Sequence, residues 1–278
     1  MTTGRLLATA WDWEPSVLIG CVILAVLYWR LARPRRMSHV FLFFAGDAIL
    51  LLALVSPIDT LADDYLFSVH MVQHLLLILI VPPLLIAGLS REFTERLLQN
   101  RAVARIEAFC AKPVIAWSGA SLSLAFWHIP IFYNAALAHE SIHIVEHLIF
   151  LITAAMFWWP LLTPAVESRL SAGKSIAYLF SAAMINTFLG ILISFAPLGI
   201  YPAYMHPNDS LGALSLIRET WGVSAQADQQ LGGLLMWVPA GLIYFTAIVA
   251  TVARWQSQAE LREIVASPDA ATEQRHGG

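Results

Sequence analysis

Apolar residues gather in seven runs, at about 15–32, 40–56, 69–89, 113–127, 142–159, 175–195 and 231–253, and polar or basic residues fill the intervals. Each run comes near the ~20 residues that carry a helix across a bilayer core. None alternates with a period of two, as the strands of a membrane barrel would. Lipid-exposed backbone has to satisfy its own hydrogen bonds, and a helix does so within a single segment. The pattern predicts an all-α, polytopic membrane protein with seven transmembrane helices over 15–253. A short outer segment covers 1–14 and a polar tail, helical at first and then disordered, covers 254–278.

Basic residues set the orientation. With the N-terminus outside, the inner loops and tail hold Arg30, Arg33, Arg35, Arg36, Arg91, Arg96, Arg101, Arg105, Lys112, Arg169, Lys174, Arg254, Arg262 and Arg275. Only Arg5 and Arg218 then lie outside, which is a strong positive-inside bias and places the C-terminus in the cytoplasm. Composition agrees, with 58% hydrophobic and 13% charged residues, about half the charge of a soluble domain. The net charge of −3 argues against nucleic acid as a partner. The charges follow the first run instead of preceding it, so a cleaved signal peptide is not expected. Cys21 falls within the first run and Cys110 at the inner edge of the fourth, so no disulfide is expected, and no CxxC motif is present.

This orientation collects His70, His74, His128, His139, His143, His147 and His206 on the outer side, and leaves His39 and His276 on the inner side. His70/His74 and His143/His147 are i,i+4 pairs at the outer ends of the third and fifth runs, so each pair projects from one helix face. A single interfacial histidine is ordinarily a hydrogen-bonded or snorkelling side chain. Two such pairs with His128 at the same depth point instead to a metal site, since an i,i+4 pair can chelate one ion and a second helix can complete it. Imidazole suits copper, zinc or iron, and the thioethers of Met71 and Met236 at similar depth would favour copper.

Further candidates surround this set. Glu146 follows His143 by three residues and could orient a ring nitrogen from behind. Asp47, inside the second run, is a carboxylate in a membrane helix and so a functional candidate. Asp228 opens the seventh run, where it would serve as N-cap, and Gly232–Gly233 would allow close helix approach. Pro82–Pro83 would kink or break the third run. Asp59, Asp63 and Asp64 give the outer loop after the second run a negative character. A short amphipathic helix is expected around Leu211–Glu219 in the long outer loop.

In order along the chain, His70-Met71-x-Gln73-His74 with Pro82-Pro83-Leu84-Leu85, Trp127-His128-x-Pro130 with Tyr133-Asn134, His143-x-x-Glu146-His147, and Asp228-Gln229-Gln230-x-Gly232-Gly233-x-x-Met236-Trp237 resemble the CtaG-type assembly factors of bacterial cytochrome c oxidase. The resemblance covers roughly 40–255. It implies seven spans in the inner membrane, a role in maturation of a haem–copper oxidase with copper supplied to it, and His70, His74, His128, His143, His147 and Asp228 as the residues concerned. The expected function is therefore a non-enzymatic assembly factor holding copper, with zinc as the alternative ion. Its partners would be oxidase subunits, membrane lipid and a copper donor on the outer side. The residues alone leave other readings open: a seven-span zinc-dependent lipid amide hydrolase, a bis-histidine haem protein, or a scaffold without metal. A retinal protein is disfavoured because the seventh run has no lysine.

Overall fold

The structure, a computed structural model, describes residues 1–266. It is helical throughout, with no strand among the described residues. Every predicted run lies in a helix. The helices are α1 (Thr3–Thr9), α2 (Pro15–Leu31), α3 (Met37–Val55), α4 (Pro57–Asp64), α5 (Phe67–Leu75), α6 (Val81–Ala87), α7 (Arg91–Leu98), α8 (Arg101–Cys110), α9 (Pro113–Trp127), α10 (Pro130–Ala138), α11 (Glu140–Leu162), α12 (Ala172–Ser194) and α13 (Ala225–Ala266).

Five segments are long and apolar enough to cross a membrane: Met37–Val55, Phe67–Ala87, Glu140–Leu162, Ala172–Ser194 and the apolar part of α13. The other two predicted runs are shorter. At ~1.5 Å per residue, α2 and α9 fall short of a ~30 Å hydrocarbon core. α9 joins α8 through a 65° bend at Ala111–Lys112, where Pro113 starts the new helix. α13 continues unbroken past residue 253, so no structural boundary separates the last run from the start of the tail. The remainder of the tail, from 267 onward, lies outside the described residues.

Pro82 and Pro83 neither break nor sharply kink the third run. A wide turn at Leu76–Ile80, in which Val81 N–H donates to Leu76 O, absorbs the two missing donors and joins α5 to α6 as one 21-residue segment. Pro82 leaves the carbonyl of Ile78 without its helical partner, and Trp158 Nε1 of α11 donates to it at 3.0 Å. A freed carbonyl at membrane depth is thus satisfied by a neighbouring helix. Gly190, Gly232 and Gly233 sit where α12, α13 and Phe67 touch. A Cβ on Gly190 would lie 2.8 Å from Gly233 O, and one on Gly232 would overlap the Phe67 ring. The small residues allow the close approach expected of them.

The half of the bundle away from the histidine pairs packs around Leu79, Phe157, Trp158, Tyr178, Leu179 and Tyr244. The end that carries the histidine pairs is closed by a cap in which Leu6 of α1, Leu61 of α4, Tyr65, Leu66, Leu216 and Ile217 form one apolar cluster. The long loop contributes to this cap through Ala213 and a wide turn at Leu216–Thr220, which overlaps the stretch expected to be amphipathic. Asp209 Oδ1 accepts from Ala213 N at 2.6 Å and from the Tyr65 hydroxyl at 3.2 Å, tying that loop to the end of α4.

Candidate metal centre

α5 and α11 carry the centre. The His70 and His74 rings meet edge to face with centroids 4.2 Å apart. His139, exposed, is the N-cap residue of α11, and His143 and His147 follow on one face with centroids 4.1 Å apart. The pairs face each other across the helix interface. Centroids lie 5.5 Å apart for His70–His143, 6.4 Å for His70–His147 and 5.7 Å for His74–His147. The shared faces that the i,i+4 spacing demands are therefore turned inward toward each other.

The start of α5 is held from outside. Its N-cap residue, Leu66, offers no capping side chain. Asp228 supplies the acceptors instead: Oδ2 accepts from Phe67 N at 2.9 Å, and Oδ1 accepts from Ser68 N at 3.0 Å and Ser68 Oγ at 2.6 Å. This corrects the expectation that Asp228 caps its own helix. α13 begins three residues earlier, and Ser224 Oγ accepts from Ala227 N at 3.1 Å as its cap. Asp228 lies in the first turn, turned toward the orphan N–H groups of α5, where a carboxylate satisfies both the donors and the helix dipole.

His128 ends α9. Its Nδ1 lies 2.7 Å from Leu124 O, so Nδ1 carries the proton and Nε2 keeps a free lone pair. The ring is 5.9 Å from His74 and outside both groups of converging ligand atoms described below. Tyr133 of α10 walls the centre, 5.2 Å from His70, and its hydroxyl is 2.9 Å from that of Tyr204. Glu146 turns to the neighbouring helix rather than back to His143: Oε1 is 3.9 Å from His74 Nε2. Met71 and Met236 line, with His74, His128 and Asn186, a cavity of about 30 Å³ beneath the histidines, room for about one water. Asn186 Nδ2 donates to Met236 O at 2.7 Å.

One expected candidate lies elsewhere, and His39 lies apart from the centre as expected. Asp47 is buried in α3 beside the thiol of Cys21 and does not join the histidines. His39 lines a separate cavity with Arg36, Arg91 and Arg169. His276 lies outside the described residues.

One acidic residue has a larger part than its sequence context suggests. Asp63, in α4, reaches both histidine helices, with Oδ2 3.2 Å from His143 Nδ1 and Oδ1 3.6 Å from His70 Nδ1. Burial alone would raise its carboxyl, but the imidazoles of His143 and His70 more than offset this and hold it well below the usual carboxylate range. Asp59, one turn earlier, is pushed up to about 8 by burial and by the charge of Asp63, against the bond it accepts from Gln73 Nε2 at 2.6 Å. The sequence signals only that α4 begins at Ser56–Pro57, a capping residue followed by proline at N1. It does not show that the chain folds back over α5.

Two groups of three residues bring ligand atoms within 4.8 Å of one another: His70, His74 and His147, and Asp63, His70 and His143. Among the described residues, both ring nitrogens of His70 and His74, Nε2 of His128, His143 and His147, and both oxygens of Glu146 are buried without a hydrogen-bond partner. Unsatisfied groups at such density are rare in folded proteins, because each costs roughly 1–3 kcal/mol. An ion accepting several lone pairs would relieve that cost, so the residues fit a metal. The centre is closed. His70 is 1% and His74 3% exposed, beneath the apolar cap.

No solved structure matches the chain. Uncharacterized protein Mb0105 of Mycobacterium bovis and MT0111 of Mycobacterium tuberculosis are each 24% identical over 92% of the chain and 41% of their own length. ML1998 of Mycobacterium leprae is 23% identical over 90% of the chain and 40% of its own length. The chain thus spans about two fifths of the length of these curated relatives. The family described as cytochrome c oxidase caa3 assembly factor (Caa3_CtaG) matches residues 22–258, which takes in every residue of the histidine centre and Asp228, and the chain belongs to that family.

Proposed function

We propose that the protein holds a copper ion in its histidine centre and delivers it to a cytochrome c oxidase during assembly. In this reading it is a seven-span protein of the bacterial inner membrane, with the centre at the outer side, the N-terminus outside and the C-terminus in the cytoplasm. The shorter α2 and the bent α8–α9 pair would be the first and fourth spans. Oxidase subunits would be its partners, together with a copper donor on the outer side.

The observation that carries the reading is the convergence of unpartnered imidazole nitrogens from α5 and α11 within one buried cluster. His70, His74 and His147 would be the ligands, with His128 and Glu146 beside them. Neutral imidazoles near the thioethers of Met71 and Met236 suit copper, with zinc the alternative. A cavity of about 30 Å³ next to His74 supports a bare ion over a porphyrin. Burial of His70 and His74 favours a carrier over a zinc hydrolase, which needs a coordination position open to substrate.

Metal analysis of the purified full chain, with and without copper loading, tests this. About one ion per chain is expected. The double variant His74→Ala/His147→Ala should insert normally and lose it. In cells, alanine at His70, His74, His143 or His147 should lower the copper content of the oxidase, and alanine at His39 should not. Copper retained in full by the double variant would remove the basis for the reading.

A further inference from the structure

The geometry points to a second cation position, formed by Asp63, His143 and the shared His70, through which the ion is loaded into and released from the inner His70/His74/His147 set. This rests on the metal reading above and deepens it by assigning the route.

The two ligand groups overlap in one residue, His70, so an ion can pass from one to the other without losing all of its ligands at once. Passage of a bare ion through the apolar cap would carry the full cost of desolvation, and ligand-by-ligand exchange avoids it. Exposure falls from the outer group to the inner one: 30% for the Asp63 side chain and 12% for His143, against 1% for His70 and 3% for His74. Asp63 splits its carboxylate between two imidazoles on different helices, at 3.2 and 3.6 Å, the second too long for a hydrogen bond. Its Oδ1 and both ring nitrogens of the almost fully buried His70 have no partner among the described residues, so the position is not already satisfied.

The chemistry of the two positions differs. A carboxylate with two imidazoles suits a borderline divalent ion such as Zn²⁺ or Cu²⁺, whereas the inner set offers imidazole alone, with thioethers nearby. Asp64 lies close enough to Asp63 to share its field, which draws cations to this side of the cap. Asp63 would thus be both the outermost ligand and the start of the route.

The test uses the full chain in detergent, Zn²⁺ as the probe, and stopped-flow measurement of uptake and of release to a chromophoric chelator. Asp63→Asn should slow both uptake and release by about tenfold while the number of ions held at equilibrium is unchanged. His143→Ala removes the other outer ligand and should slow both rates similarly, which keeps the test decisive if Asp63→Asn folds poorly. Asp64→Asn removes the same charge from the same helix and should leave both rates within about twofold. Faster release in Asp63→Asn would make Asp63 only a support for the inner ligands, and overturns the route. So would wild-type rates in that variant, or an equal slowing by Asp64→Asn, which would mean general electrostatic attraction. Those results leave the inner centre standing, whereas a wild-type chain that takes up no ion removes both proposals.

Discussion

Removing the carboxylate of Asp228 should unseat the helix that carries His70 and His74. Asp228 is 1% exposed and accepts three hydrogen bonds, from Phe67 N, Ser68 N and Ser68 Oγ, at 2.6 to 3.0 Å. Alanine leaves two backbone N–H groups and a hydroxyl buried at a helix N-terminus with no acceptor. Loss of an N-cap costs about 0.5–2 kcal/mol, and each buried donor left unmade about 1–3 kcal/mol. The three bonds share one carboxylate and are not additive, so we expect about 3–5 kcal/mol for Asp228→Ala. At roughly 2–4 °C per kcal/mol for a chain of this size, melting should fall by on the order of 10 °C. Asparagine keeps one oxygen and presents an amide N–H₂ to the remaining donor, so Asp228→Asn should lose about half as much. Thermal unfolding in one detergent, followed by circular dichroism, reads both variants. Metal retention should fall with stability, since this contact sets where α5 begins. Melting of Asp228→Ala within about 2 °C of wild type would refute the argument.

Two further substitutions test the packing and the outer cap. Gly232→Ala puts a methyl group into the Phe67 ring and should cost on the order of 1–3 kcal/mol, seen as a lower melting temperature; Gly173→Ala, with open space around it, should be tolerated. Asp59→Asn should stabilise the protein, by more at pH 8 than at pH 5. Its carboxyl is raised to about 8 in the folded chain against an ordinary value near 4, so wild-type folding favours the protonated form and loses stability as pH climbs through that window. A melting difference between variant and wild type that stays flat or narrows from pH 5 to pH 8 would contradict this assignment.

The helices and the histidine pairs were legible in the sequence because both follow from local geometry. Apolar runs of near-spanning length have to be helical in lipid, and an i,i+4 pair shares a face in any helix. Lengths decided less: the runs at 15–32 and 113–127 begin at the prolines that open α2 and α9, and each helix is shorter than a full crossing. What the tertiary structure decided are contacts between residues far apart in the chain. Asp228 caps a helix that begins 161 residues before it, so its own neighbours could suggest only the wrong helix. Asp63 precedes His70 by just seven residues, yet it joins the centre because α4 folds back over α5, and Tyr65 and Leu66 between them carry no mark of that reversal. Glu146 shares a face with His143 but lies nearer His74, because α5 packs against that face. The closure of the centre likewise depends on Leu6, Leu61 and Ile217, from three separate segments, meeting in one cap. Periodicity is a property of a single element and can be read along the chain; burial and partnership are properties of elements in contact, and only the fold supplies them.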